Sequence, residues 1–500
     1  MSLPVSPVIR MLLGALLLVL IAGCASFDDD VAHSPASPRW AVLGDDRSTP
    51  ASDVIARALV APGDVTSADV LSLAVAGAGL ESVVTQQLPR LPLEWDAPIV
   101  LTPGRADAEQ PAPLSTQRYS TLVDALLFTL RRRGPVVVST IPVEFSTPAE
   151  AADRLTEARR LRRILEYNAE IRAAAAAHDA VLLEADAPPR FGAVELGSPR
   201  STSPTSFDAS VILGRTAEGT STAPNRWLSG FDDRSRAAMR QRAAAALAAG
   251  QRLDVMAKLG DSITSSPSYL TQVTVDTILN SPYAGLAGTL RFFSRTLVPD
   301  GLAVPTIAGS TPLVPSPARR SLGSDDRWYV TDLLTGGDVS ALVRELESIR
   351  PGIAVVMFGT NDLTLTTVEA FEEHLNTLLQ ELEQRHVLPI LSTIPARQDQ
   401  TRYGERVPTF NAAIRAMAAV HQVPLMEYGA AMAGLPNAGL SADGIHPSVC
   451  PAGAGSLSPE CLRYGYNMRN LLTLLALDKL QQTVLADPAY RITAHAETGQ

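Results

Sequence analysis

The chain has 500 residues, 46% of them hydrophobic and 19% charged, enough for packed cores and, at about 150 residues each, roughly three domains, which excludes a disordered polypeptide. With 42 Lys+Arg against 52 Asp+Glu the net charge is −10, which excludes binding driven by nucleic-acid phosphates. Three cysteines exclude a disulfide scaffold, and no C-x-x-C pair suggests structural zinc. The chain begins with Arg10 as its only charge before an apolar run, Met11–Gly23 (MLLGALLLVLIAG), that ends at Cys24. The run is too short to cross about 30 Å of hydrocarbon as a helix, but it suits the apolar core of a secretory signal.

Ile21-Ala22-Gly23-Cys24 resembles the cleavage box of bacterial lipoproteins. The resemblance implies removal of residues 1–23 as a signal peptide and acylation of Cys24. The result would be an exported lipoprotein anchored to a membrane, in the periplasm or at the cell surface, by acyl chains at about 0.8 kcal/mol per buried CH₂. Cleavage after Ala25 and an uncleaved anchor are the alternatives. With Cys24 lipidated, Cys450 and Cys461 remain as an even pair in an oxidising compartment. A disulfide closing that loop would be worth about 3 kcal/mol. Residues 24–38 read as a polar tether in which Asp28-Asp29-Asp30 is a solvated run.

From Trp40 short apolar runs alternate with amphipathic stretches. Strand candidates are Trp40–Leu43, Val70–Val75, Ile99–Leu101 and Val136–Val138; helix candidates are Ser120–Arg133 and Glu150–His178. The alternation predicts βαβ units and a parallel sheet over residues 39–205. Sequence rich in Ser, Thr, Pro and Gly follows, with a linker at 206–230, a second alternating region at 231–485 and a tail at 486–500. The two regions repeat each other. Ser139-Thr140-Ile141-Pro142 returns as Ser392-Thr393-Ile394-Pro395, and Tyr167-Asn168-Ala169-Glu170-Ile171-Arg172 as Phe410-Asn411-Ala412-Ala413-Ile414-Arg415. His178 and His421 follow at the same offset, each ending a helix and each read as structural. Unequal spacing places an insertion, drawn at 265–330, in the second copy; it is either a lid beside the site or a packing elaboration.

Three segments of the second region carry chemistry. The buried strand Leu253–Leu259 ends at Gly260-Asp261-Ser262, at the edge where open α/β sheets bind ligands. Taken alone, Ser262 could equally be a helix N-cap. The strand Ile353–Phe358 ends at Gly359-Thr360-Asn361-Asp362, where an Asn amide is a natural donor to a developing oxyanion. Asp443-Gly444-Ile445-His446-Pro447 puts His446 on a loop, because the residue before proline is pushed toward extended conformations. An aspartate three residues earlier can fold back onto Nδ1 and leave Nε2 free as a base for a serine hydroxyl. His374 falls on the solvent side of an amphipathic stretch and carries no role. A zinc site from Asp443, His446, Cys450 and Cys461 has an unusual spacing and competes with the cysteine pair.

The ordered set Gly260-Asp261-Ser262, Gly337, Gly359-x-Asn361-Asp362 and Asp443-x-x-His446 resembles the SGNH (GDSL) hydrolase superfamily over roughly residues 250–485. The resemblance implies a flavodoxin-like α/β/α sandwich and serine ester hydrolysis without metal or cofactor. Ser262 would be the nucleophile, His446 the general base and Asp443 its orienting acid. The oxyanion hole would be formed by Ser262 and Gly337 through their N–H groups and by Asn361 through its amide. Residues 39–205 resemble the same superfamily with its chemistry lost: Asp46 stands for the nucleophile, Ala106 for the asparagine and Ser198 for the base. The chain is thus expected to be two tandem flavodoxin-like sandwiches, one inactive and one an esterase acting on a small ester or an acylated glycan. O-acyl transfer by the same triad and a non-catalytic surface binding protein are the alternatives.

Overall fold

In a computed structural model of the chain the described residues are 40–45, 70–95, 97–110, 112–143, 151–185, 224–301, 311–320, 328–335 and 340–486. The signal, Cys24, the tether, most of the 206–230 linker, Asp46, Ser198, Gly337 and the tail from 487 lie outside them. The chain divides into two units, Met1–Glu144 with Arg163–Gly219 and Phe145–Arg162 with Thr220–Gln500.

The described strands of the first unit are β1 (Trp40–Gly44), β2 (Val70–Ser72), β3 (Ile99–Thr102), β4 (Val136–Ser139) and β5 (Val181–Leu183). They pair in parallel in the order β2-β1-β3-β4-β5, the doubly wound arrangement expected for a flavodoxin-like sheet. Every residue of β1, β3 and β4 is buried, as parallel strands covered on both faces must be. The helix Thr116–Arg131 starts where Ser115 Oγ accepts the Arg118 N–H at 3.2 Å. Its apolar stripe, including Leu122, Leu126 and Leu130, joins the core beside the sheet.

The second unit contains β6 (Leu228–Ser229), β7 (Arg252–Gly260), β8 (Leu297–Pro299), β9 (Leu313–Pro315), β10 (Pro351–Met357), β11 (Leu388–Ser392) and β12 (Leu425–Met426). Its main sheet runs β6-β12-β11-β10-β7, parallel except for β6, and β8 pairs with β9 as an antiparallel ribbon. Among the described residues no strand pairs with the outer edge of β7, where β2 would correspond. The described part of the 265–330 insertion covers that edge instead. The Met256 N–H donates to Ser316 Oγ at 3.2 Å, and that hydroxyl donates to Phe293 O at 3.0 Å. Lys258 Nζ, buried, donates to Tyr269 O and Pro317 O at 3.0 and 3.1 Å, and burial lowers its pKa to about 7. An uncovered edge strand invites pairing with another chain, so the packing role of the insertion has a clear physical reason.

The sequence repeats correspond to repeated side-chain brackets. Asn168 accepts the Ile141 N–H at 2.7 Å and donates to Ile141 O at 2.9 Å; Asn411 does the same to Ile394 at 2.8 and 3.0 Å. Arg172 grips Glu184 as Arg415 grips Glu427. His178 Nε2 lies 2.7 Å from Asp124, and His421 Nε2 lies 2.9 Å from Asn376. The structural reading of both histidines holds, but its dipole reason fails for His421: burial pushes its pKa down to about 3, so the ring is neutral. His374 is half-buried with Nδ1 unpartnered, not on the solvent side. It sits in the helix Val368–Gln384, whose buried positions include Phe371 a turn before it and Leu378 a turn after it.

Candidate active site

The nucleophile candidate sits where β7 passes directly into the helix Ser262–Ser265. A Cβ at Gly260 would lie 2.6 Å from Met357 O and 2.1 Å from Thr264 Oγ1, so a side chain there would force β7 and β10 apart. Asp261 caps the helix through Oδ1, accepting the Ile263 N–H at 3.1 Å. Arg469, buried, clamps the turn from the C-terminal helix Gly465–Leu480, donating to Ile263 O at 2.6 Å and Thr264 Oγ1 at 2.8 Å. Among the described residues Asp261 Oδ2 has no hydrogen-bond partner. Burial raises the Asp261 pKa to about 6, against the opposing pull of the Ile263 N–H, Arg469 and His446. As the first residue of its helix, Ser262 presents a backbone N–H that no helical carbonyl can take.

The loop carrying the base is closed on itself. Leu440 bridges Pro447, and Ser441 sends both its N–H, at 2.8 Å, and its hydroxyl, at 2.7 Å, to His446 O. Gly444 turns the chain at φ +69°, a conformation that costs glycine little. Asp443 Oδ1 then accepts the N–H groups of Ile445 and His446, both at 3.0 Å. Its Oδ2 lies 2.6 Å from His446 Nδ1. Partial burial pushes the Asp443 carboxyl up, but these hydrogen bonds outweigh it and leave the group below its ordinary range. On the far side of the ring, His446 Nε2 lies 3.0 Å from Ser262 Oγ. With the proton on Nδ1 the ring can accept the serine proton at Nε2, and 40% of its side chain is exposed to an incoming substrate.

Asn361 follows β10, whose Met357 pairs in register with Gly260 of β7, so the two loops leave neighbouring strands at the same edge. Its amide donates to Trp328 O at 3.2 Å, which leaves the second N–H of Nδ2 for another acceptor. Asp362, fully buried, accepts the Gly359 N–H at 3.1 Å and the Val330 N–H at 3.0 Å. Burial raises its pKa to about 7, with the Asp261 charge adding to the rise. In the first unit buried Asp107, after Ala106, likewise accepts an N–H at the start of a helix, that of Leu80 at 2.8 Å.

Of the residues read from sequence, Ser262, His446 and Asp443 are brought into one hydrogen-bonded line and Asn361 stands on the adjacent loop, while Gly337 lies outside the described residues. Cys450 and Cys461 form a disulfide with Cα atoms 5.2 Å apart, which removes both from any metal site. Sequence reasoning assigned no role to Asp362, Arg469 or Arg397. Asp362 had a signal in its repeat at Asp107; Arg469 had none, since only the tertiary fold brings it to the nucleophile turn.

Residues 259–449 match the profile of the GDSL-like lipase/acylhydrolase family, so this part of the chain is a hydrolase domain of that kind. No curated protein matches the chain. Similar solved structures include a GDSL-like lipase from Bacteroides thetaiotaomicron, 15% identical over 48% of this chain and 97% of that one, with a TM-score of 0.29. A lipase/acylhydrolase from Enterococcus faecalis is 21% identical over 45% of this chain and 95% of that one, with a TM-score of 0.29. An acetylxylan esterase from Geobacillus stearothermophilus is 16% identical over 44% and 93%, again with a TM-score of 0.29.

Proposed function

Starting from a GDSL-like lipase/acylhydrolase domain at residues 259–449, we propose that the protein is a serine esterase that cleaves carboxylic esters or deacylates a glycan through an acyl-serine intermediate. The observation that carries this reading is the line Ser262 Oγ–His446 Nε2–Nδ1–Asp443, with links of 3.0 and 2.6 Å. Ser262 Oγ attacks the acyl carbon as its proton passes to His446 Nε2, and the Asp443 carboxylate stabilises the imidazolium through Nδ1–H. The oxyanion takes hydrogen bonds from the Ser262 N–H and from the Asn361 Nδ2–H left over by Trp328, with Gly337 N–H as a third donor. Collapse expels the alcohol, which takes the proton from Nε2. Water then repeats the sequence on the acyl-serine, and the acid leaves with Ser262 restored.

The rest of the reading concerns location and the first unit. The apolar run before Cys24 supports an exported chain anchored through a lipidated Cys24. The shared brackets at Asn168 and Asn411, together with the Asp107 and Asp362 bonds, support descent of both units from one fold. In the first unit Asp45 Oδ1 accepts the Gly77 N–H at 2.6 Å, so a donor at the place of an oxyanion glycine is already used. That copy is read as inactive.

The test is turnover of p-nitrophenyl acetate by the intact chain. Ser262→Ala should lower kcat by at least about 10⁴-fold with the melting temperature unchanged. Turnover equal to the wild type would overturn the assignment.

A further inference from the structure

We propose that Arg397 is a positioning residue that fixes the oxyanion loop, Gly359–Asn361, to the loop carrying the base, and that it acts on catalysis through Asn361; this rests on the hydrolase reading above. Arg397 follows β11 through Ile394-Pro395-Ala396 and is 8% exposed. Its Nε and Nη2 grip the two carboxylate oxygens of Asp399 at 2.9 and 2.6 Å, and its Nη1 donates to Thr360 O at 2.7 Å. The ring of Tyr403 lies over the guanidinium, 5.0 Å from its carbon. Asp399 is held below the usual carboxylate range, chiefly by that arginine.

The same short strap reaches the other loop. The Gln398 N–H donates to Gly444 O at 2.8 Å, and a Cβ on Gly444 would come within 2.8 Å of Asp399 N. Three consecutive residues thus touch the peptide next to the oxyanion donor and the turn between the acid and the base. The Thr360 hydroxyl is buried without a partner among the described residues, so its side chain adds no hydrogen bond to the one its carbonyl accepts from Arg397. Because Thr360 O and Asn361 N belong to one planar peptide, fixing that carbonyl fixes where the Asn361 side chain starts. Only a guanidinium can hold a carboxylate with one edge and a carbonyl with the other; an ammonium is a point charge without that fork.

The sequence carries an independent sign. Ser392-Thr393-Ile394-Pro395-Ala396-Arg397 has as its repeat Ser139-Thr140-Ile141-Pro142-Val143-Glu144. The chain has arginine in the copy that keeps Asn361 and glutamate in the copy where Ala106 replaces it.

The experiment is a double-mutant cycle on the intact chain, with kcat and KM for p-nitrophenyl acetate, the phosphonylation rate of Ser262 by a fluorophosphonate and the melting temperature as readouts. Asn361→Ala should lower kcat about 10²–10³-fold, the usual cost of an oxyanion donor. Arg397→Met should lower kcat and the phosphonylation rate about 10- to 100-fold, with KM moving less than about threefold. The double variant should be close to Asn361→Ala alone, because the two residues act on one donor. Additive losses, or an unchanged kcat in folded Arg397→Met, would overturn the proposal while leaving the esterase reading standing. If Arg397→Met does not fold, Arg397→Lys takes its place in the cycle with the same criterion. If the wild type neither turns over ester nor is labelled at Ser262, the esterase reading fails and this inference falls with it.

Discussion

At the scale of single residues, environment decides what each titratable group does. Asp443 and Asp362 both lie within the short motifs of the second region, yet one is held ionised by N–H donors and the other is pushed up to about 7 by burial. The first can orient and stabilise His446; the second ties Gly359 to Val330 and works as a brace. His421 shows the opposite shift, with a measurable consequence. Its pKa is about 3 in the fold against an ordinary 6.5. The unfolded chain therefore takes up a proton as pH falls through 6.5 while the fold refuses it, so stability drains away from there toward pH 3. The slope is at most one proton's worth, about 1.4 kcal/mol per pH unit. Asp261 and Asp362 work in the other direction, since their raised values favour the fold at low pH and that contribution is lost as pH rises toward 7. The His421 part is isolated by difference: the melting-temperature gap between wild type and His421→Gln should narrow as pH falls from 7 to 4. A gap constant with pH would show that His421 does not carry the shift. In the sequence, both histidines were readable as structural because they repeat, but the neutral state of His421 was not, since burial is contributed by residues far away in the chain.

At the scale of elements, the loop from Leu440 to Cys461 shows how much bracing the histidine proposed as the base receives. Its first half is closed by Ser441 and by the bridge of Leu440 to Pro447. Its second half is organised by Asn467, which accepts from Cys450 N–H at 3.1 Å and donates to the carbonyls of Gly453, Ala454 and Ser456 at 2.9, 3.2 and 2.8 Å. That half also touches the start of the insertion, where Ala454 N–H donates to Gln272 Oε1 at 3.0 Å. The Cys450–Cys461 disulfide closes this stretch, and Cys450 is separated from Pro447 only by Ser448 and Val449. Reduction, or the paired change Cys450→Ala and Cys461→Ala, should cost about 3 kcal/mol of stability and lower kcat/KM before the unit unfolds. Activity that survives full reduction unchanged would mean that Ser441 and Asn467 suffice. The strands and long helices were legible because their apolar periods are local, as in β7, β10 and the helix Thr116–Arg131. What covers the outer edge of β7 was not, because Ser316 and Pro317 reach that strand only from the far end of a long insertion.

At the scale of the whole molecule, the two units share the order of four parallel strands and several brackets, and among the described residues the line of serine, histidine and aspartate stands in the second. The intact protein treated with a fluorophosphonate should therefore gain one adduct per chain, located on Ser262, and none in Ser262→Ala. A second adduct within residues 39–205 would contradict an inactive first copy. The amino-acid sequence by itself determined the α/β class, the internal repeat, the apolar run before Cys24 and the identities of Ser262, Asp443, His446 and Asn361. These were legible because strand and helix periods, turn residues and short motifs depend on neighbours in the chain. Only the tertiary structure decided that the edge of β7 is capped by the insertion, that Arg469 clamps the turn at Ser262 and that residues 397–399 reach both Thr360 and Gly444. Those contacts join residues distant in sequence, and their geometry follows from how the elements pack, which no local pattern encodes.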